Sequence, residues 1–149
     1  MIDEERLWTN LLSSMPLAFN MFASWRRDAQ RANAILGPLI PGFLALDTRT
    51  LFEHAPACGD VRFTGDGMAF DVLVRYRTPS GRKGFVAFEI KYSESMQEPM
   101  RALGLRYDEL AEKSGFFIAP MNPALRANPL QQFFREQPFG TDDDRQWTL

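Results

Sequence analysis

Apolar residues at Leu11, Met15, Ala18, Phe22, Trp25, Ala29, Ala32 and Leu36 recur at alternating spacings of four and three. That spacing draws a single stripe along an α-helix. Ser13 or Ser14 can cap its start, and Pro16 falls in the first turn, where the amide hydrogen it lacks has no helical partner. A helix is therefore expected from Ser14 to Leu36, with Leu11 in a preceding turn and Gly37-Pro38 closing it. Arg26, Arg27 and Arg31 fall off the stripe and face solvent or a polyanion.

Beyond Pro41-Gly42 the period changes to two. A short strand is expected around Thr50-Leu51-Phe52-Glu53, followed by a loop through Pro56, Cys58, Gly59 and Gly65-Asp66-Gly67. From Met68 to Arg77, Phe70, Val72, Val74 and Tyr76 take one face of a strand, and Asp71, Leu73, Arg75 and Arg77 the other. Thr78-Pro79-Ser80-Gly81-Arg82 is turn chemistry. From Gly84 to Tyr92, Val86, Phe88, Ile90 and Tyr92 alternate with Phe85, Ala87, Glu89 and Lys91, so the two strands form an antiparallel hairpin. Helical spacing returns from Glu98 to Lys113, stopping at Gly115, and again from Ala127 to Gln137. Phe116 to Ala119 is apolar but too short to classify as strand or buried turn.

Composition narrows the function classes. The 149 residues suit one domain with a continuous core. One Cys and one His exclude an internal disulfide framework and a Cys/His zinc site. No apolar run approaches the ~18 residues needed to span a bilayer, and the acidic start Asp3-Glu4-Glu5 has the wrong charge for a signal peptide. A cytoplasmic protein with no membrane association is expected. The net charge of -2 lacks the basic excess of a general nucleic-acid binder. Lysine is scarce: only Lys83, Lys91 and Lys113, against fourteen arginines. The triplet Asp142-Asp143-Asp144 is expected to be a solvated tail.

One constellation carries chemistry. With the turn centred near Ser80, Asp71 faces Glu89, and Lys91 follows two residues along the same face. Carboxylate oxygens are hard ligands suited to Mg²⁺, which needs only one or two of them and keeps waters. A neighbouring ammonium can orient a water or neutralise developing charge, and a bound metal can activate that water. Together these are the ingredients of phosphodiester hydrolysis. A solvated cross-strand salt bridge would use the same residues, but Leu73, Phe85 and Ala87 share the face, and a partly buried charged cluster has to be paired or functional.

Asp71 followed by Glu89-Ile90-Lys91, on two strands after an amphipathic helix, resembles the PD-(D/E)XK nuclease superfamily. The resemblance extends to a bacterial restriction-endonuclease branch through Ser13-Ser14-Met15-Pro16-Leu17-Ala18-Phe19-Asn20, Phe52-Glu53-His54, Thr64-Gly65-Asp66-Gly67, Phe88 to Glu94, and Pro129-Leu130-Gln131-Gln132-Phe133-Phe134-Arg135. It implies an α/β (α+β-like) restriction-endonuclease-like core, with a mixed sheet whose catalytic hairpin is flanked by helices. It further implies Asp71 and Glu89 as Mg²⁺ ligands, Lys91 as the catalytic lysine, and Glu53 as a further acidic ligand or water contact. Mn²⁺ can substitute for Mg²⁺. Gln131 and Gln132 match a polar position that contacts DNA or braces the site, and Arg26, Arg27, Arg31, Arg75 and Arg77 are candidate phosphate contacts, although arginines on a helix face also serve simply as a solvated surface. Ser14 and Asn20 match positions near the site, although capping and core hydrogen bonding explain them equally; His54 as a lone histidine is expected to be structural.

The resemblance also departs from its pattern. Phe70 stands where a proline usually precedes the first acidic residue, and similar chains look longer at both ends. A single domain over residues 1–149, shortened at both ends, is the expectation, with the last core strand either missing or replaced by Phe116 to Ala119. The implied function is a Mg²⁺-dependent DNA endonuclease acting through metal-activated water, of restriction type, with a homodimer suiting the cutting of two strands. The alternative is a catalytically inactive module of the same fold that binds nucleic acid or serves assembly.

Overall fold

The computed structural model describes residues 4–10, 12–47, 49–55, 69–93 and 102–136. The loop around Cys58, the expected helix start at Glu98, and Asp142 to Asp144 lie outside them. The chain divides into two compact units, one of Met1–His54 with Ala69–Glu94, the other of Ala55–Met68 with Ser95–Leu149.

In the first unit, four strands form one sheet: β1 (Ala45–Leu46), β2 (Leu51–His54), β3 (Phe70–Arg77) and β4 (Lys83–Phe88). β3 is central. β4 runs along one edge of it, while β1 and then β2 share the other edge. Every pairing is antiparallel, so among the described residues the sheet lacks the parallel pair that a mixed sheet requires. The hairpin register is the expected one, with Leu73 opposite Ala87 and Arg77 opposite Lys83. Gly81 adopts φ +81 in the connecting turn, a conformation glycine takes without a steric penalty.

β4 ends at Phe88, short of the expected Tyr92. The cause is local: the Ile90 N–H donates to Asp71 Oδ2 at 2.6 Å instead of continuing the ladder. A side-chain acceptor has replaced a backbone one.

The helical layer comprises α1 (Glu4–Thr9), α2 (Ser14–Phe22), a 3₁₀ turn (Ala23–Arg26) and α3 (Ala29–Leu36). α1 is too short to carry a readable stripe. Ser13 caps α2 by accepting from Met15 N–H, as the sequence suggests. The expected continuous helix is instead broken at residues 23–28. Asp28 accepts from Arg31 N–H and starts a new helix, and a side chain that bonds nearby amides competes with an uninterrupted ladder. The stripe nonetheless survives the break. Ala18, Phe22, Trp25, Ala32 and Leu36 form one core with Val72 and Val74 of β3, both fully buried. Phe22 meets Trp25 edge-on at 4.7 Å and Phe88 at 4.9 Å. These helices therefore pack on the face of Val72 and Val74, and Asp71, Leu73 and Arg75 belong to the other.

Gly84 sits across the hairpin from Tyr76, and a Cβ there would lie 2.5 Å from Tyr76 Cζ. The ring in turn packs on Phe43 at 5.2 Å. Gly84→Ala is expected to displace Tyr76 and cost about 1–3 kcal/mol, despite the better strand propensity of alanine. Urea unfolding of the two proteins checks this, and an unchanged midpoint would contradict it.

In the second unit, α4 (Leu105–Ser114) ends at Gly115, left-handed at φ 67, as the sequence predicts. Residues 102–104 are not helical, so α4 starts later than expected. Phe116 to Ala119 forms no strand and replaces none. A 3₁₀ turn (Pro123–Arg126) precedes α5 (Leu130–Glu136). α5 begins later than Ala127 because Pro129 disfavours a helical Asn128 before it. Tyr107, Ala111 and Phe134 form the core of this unit, and the Arg126 guanidinium lies 4.8 Å from the Phe134 ring centroid.

Candidate catalytic face of the hairpin

The chemistry of the first unit gathers where β4 leaves the ladder. Asp71, half-buried on β3, holds the amide joining Glu89 to Ile90, which fixes its carboxylate beside Glu89. Glu89 and Lys91, two apart on extended backbone, point the same way, and Lys91 Nζ lies 2.9 Å from Glu89 Oε1. Their side chains are 29% exposed for Lys91 and 18% for Glu89, so the pair is neither freely solvated nor sealed off. Leu73, one rung from Asp71 on the same face, is buried.

Glu53 is on the opposite edge of β3. The β2–β3 register, Phe52 opposite Val72 and His54 opposite Phe70, sets Glu53 level with Asp71, and the β3–β4 register sets Glu89 level with Asp71 from the other side. Three acidic positions thus form a row across three strands. Like charges placed opposite each other destabilise a sheet. The Glu53–Asp71 rung is missing from the ladder, and Glu53 itself is left-handed at φ 47. A non-glycine residue pays about 1 kcal/mol for that conformation. Glu53→Gly is therefore expected to be more stable than Glu53→Ala by about 1 kcal/mol, reversing the usual strand order. Thermal unfolding of the pair checks this, and Ala being the more stable would contradict it.

His54 and Arg75 add a contact that the sequence does not reveal. Arg75 Nη2 is 3.5 Å from His54 Nε2, and because a guanidinium only donates, the imidazole nitrogen accepts. Burial first, then the Arg75 charge, lowers the His54 pKa, so the ring stays neutral against the cation. Burial also lowers the Arg75 pKa, partly offset by Asp47. Arg77 pairs with Asp47 through Nε. Of the arginines expected to be phosphate contacts, Arg75 and Arg77 thus have protein partners.

The remaining expected residues fall on helices. Ser14 is buried at the start of α2 and Asn20 is exposed on the same helix. Gln131 and Gln132 are on α5 of the second unit; Gln131 is buried and donates Nε2 to the Arg126 carbonyl at 3.1 Å, bracing the approach to its helix.

The donor set decides which metal fits. Among the described residues no three His, Cys, Asp or Glu side chains form a cage, so an all-protein site of the zinc kind does not fit. Mg²⁺ asks for only one or two carboxylates, and Asp71 beside Glu89 supplies hard oxygen donors of that kind. Ion pairing to Lys91 at one Glu89 oxygen leaves acceptor capacity, since a carboxylate offers about four lone-pair sites.

The family model of the PD-(D/E)XK nuclease superfamily matches residues 1–141. The chain belongs to that superfamily. No curated protein and no solved structure matches it. The α/β architecture, with its small antiparallel sheet and several helices, agrees with the restriction-endonuclease-like fold of the superfamily. PD-(D/E)XK proteins are usually nucleases, bind nucleic acid and typically use divalent metals. No helix among the described residues is long and apolar enough to cross a membrane.

Proposed function

We propose that this chain is a Mg²⁺-dependent endonuclease that hydrolyses DNA phosphodiester bonds, with Asp71 and Glu89 holding the metal, Glu53 as a water contact rather than a third ligand, and Lys91 as the catalytic lysine. The observation that carries the reading is the Asp71 carboxylate clasping the Glu89–Ile90 amide, with the Lys91 ammonium on Glu89. Bound there, Mg²⁺ supplies charge neutralisation and Lewis-acid polarisation of a phosphoryl oxygen, and Mn²⁺ can replace it. Lys91 Nζ donates to the attacking water or to the oxygen on which negative charge develops. The Ile90 N–H fixes the aim of the Asp71 carboxylate. Restriction-type cutting of a duplex by a homodimer in the cytoplasm extends the same reading.

A second reading is favoured by one observation: Lys91 already neutralises Glu89, an arrangement that would also serve a non-catalytic nucleic-acid-binding or assembly module. Supercoiled plasmid DNA and a matching RNA, incubated with Mg²⁺, Mn²⁺ or EDTA, separate the two. Nicked or linear DNA with either metal and none with EDTA is expected. Intact DNA with both metals, or cleavage indifferent to EDTA, overturns the nuclease reading.

A further inference from the structure

An open cleft of about 810 Å³ in the first unit is lined by Ala23, Ser24, Arg26, Arg27, Asp28 and Arg49. Arg26 and Arg27 come from the break between α2 and α3, and Arg49 from the link between β1 and β2. Three arginines outside the cleft have carboxylate partners: Arg77 with Asp47, Arg106 with Glu109 and Arg126 with Asp108. The three cleft arginines have no ion pair among the described residues. Asp28, the sole carboxylate among the described lining residues, also caps α3 by accepting from Arg31 N–H at 3.0 Å. The backbone beneath is fixed, because the Ser24 carbonyl accepts from both Arg27 N–H and Asp28 N–H, and Trp25 is buried in the core. On the other wall Arg49 leads into fully buried Thr50.

Three arginines against one carboxylate leave the described lining with a net positive charge, which favours a bound anion. Guanidinium matches phosphate oxygens with two parallel hydrogen bonds. The cleft is far larger than a single phosphate needs, and none of its described lining residues is aromatic. We propose that the cleft binds the phosphate backbone of a nucleic-acid strand, as a substrate-holding site distinct from the hairpin that carries Asp71, Glu89 and Lys91. The identity of that strand as substrate rests on the nuclease reading; the phosphate chemistry of the cleft does not.

The test is fluorescence anisotropy of a labelled random-sequence DNA duplex in EDTA, titrated with salt, for the full chain and for the triple variant Arg26→Ala, Arg27→Ala, Arg49→Ala. Each lost phosphate contact removes about 0.9 from the log–log salt slope, so the slope should fall by about 2 to 3, with affinity at least about tenfold weaker in moderate salt. Equal affinity and slope in a variant with native circular dichroism overturns the proposal. Displacement of the duplex from the wild type by an equal concentration of ATP also overturns it, because that assigns the cleft to free nucleotides. A wild type that binds as described but never cleaves leaves the cleft standing and sinks the nuclease reading. Cleavage with an unaltered salt slope in the variant does the reverse.

Discussion

Lys91→Ala is expected to slow cleavage by about 10² to 10⁴-fold, the range for a positioned proton-transfer or charge-stabilising group, while the chain stays folded. The physical case rests on what Lys91 touches. Its ammonium lies 2.9 Å from Glu89 Oε1 in a partly exposed pair. Such pairs contribute up to about 1 kcal/mol to stability after solvent screening, so a purely structural lysine would give a slightly less stable protein and an unchanged rate. Lys91→Arg sharpens the contrast. It keeps the charge for Glu89 but replaces a compact ammonium with a wide planar fork. Stability should return and the rate should not. Initial rates on plasmid DNA, with urea unfolding of each variant, separate the two roles.

Asp71→Asn is the second large expected effect: cleavage falls by at least about 10²-fold and calorimetric Mg²⁺ binding is lost, with little change in stability. Asparagine retains an oxygen to accept the Ile90 N–H, which Asp71 now accepts at 2.6 Å. What disappears is the charge, and with it the hard anionic ligand. Asp71→Ala is expected to lose activity equally and to cost a further ~1 kcal/mol or more, because a part-buried amide is left without its acceptor. Equal Mg²⁺ affinity in wild type and Asp71→Asn would contradict the assignment of Asp71 as a ligand.

The apolar stripe and the hairpin were readable because both follow fixed periods. The stripe names the residues that meet Val72 and Val74 even though the helix beneath it breaks. What escaped were competitions between side chains and backbone. Asp28 could be a surface residue or a cap, and only the packing of Trp25 and Ala32 on the sheet selects the cap. Nothing in the alternation of Phe85 to Tyr92 shows that Asp71 will take the Ile90 amide and end β4 early.

The candidate site divides in the same way. The expected register, Leu73 with Ala87, puts Asp71 level with Glu89, so this part was legible. The left-handed backbone of Glu53 was not, because a run of Leu, Phe, Glu and His carries no turn residue to announce it. Arg49 was equally silent, since its meeting with Arg26 and Arg27 depends on contacts distant in sequence.

Single-turnover cleavage of one labelled DNA duplex by wild type and Lys91→Ala, each in Mg²⁺ and in EDTA, separates a catalytic hairpin from an inert one. Product is expected from the wild type in Mg²⁺, at a rate at least about 10²-fold lower for Lys91→Ala, and none from either in EDTA. Equal rates for the two proteins, or product in EDTA, would contradict a catalytic hairpin.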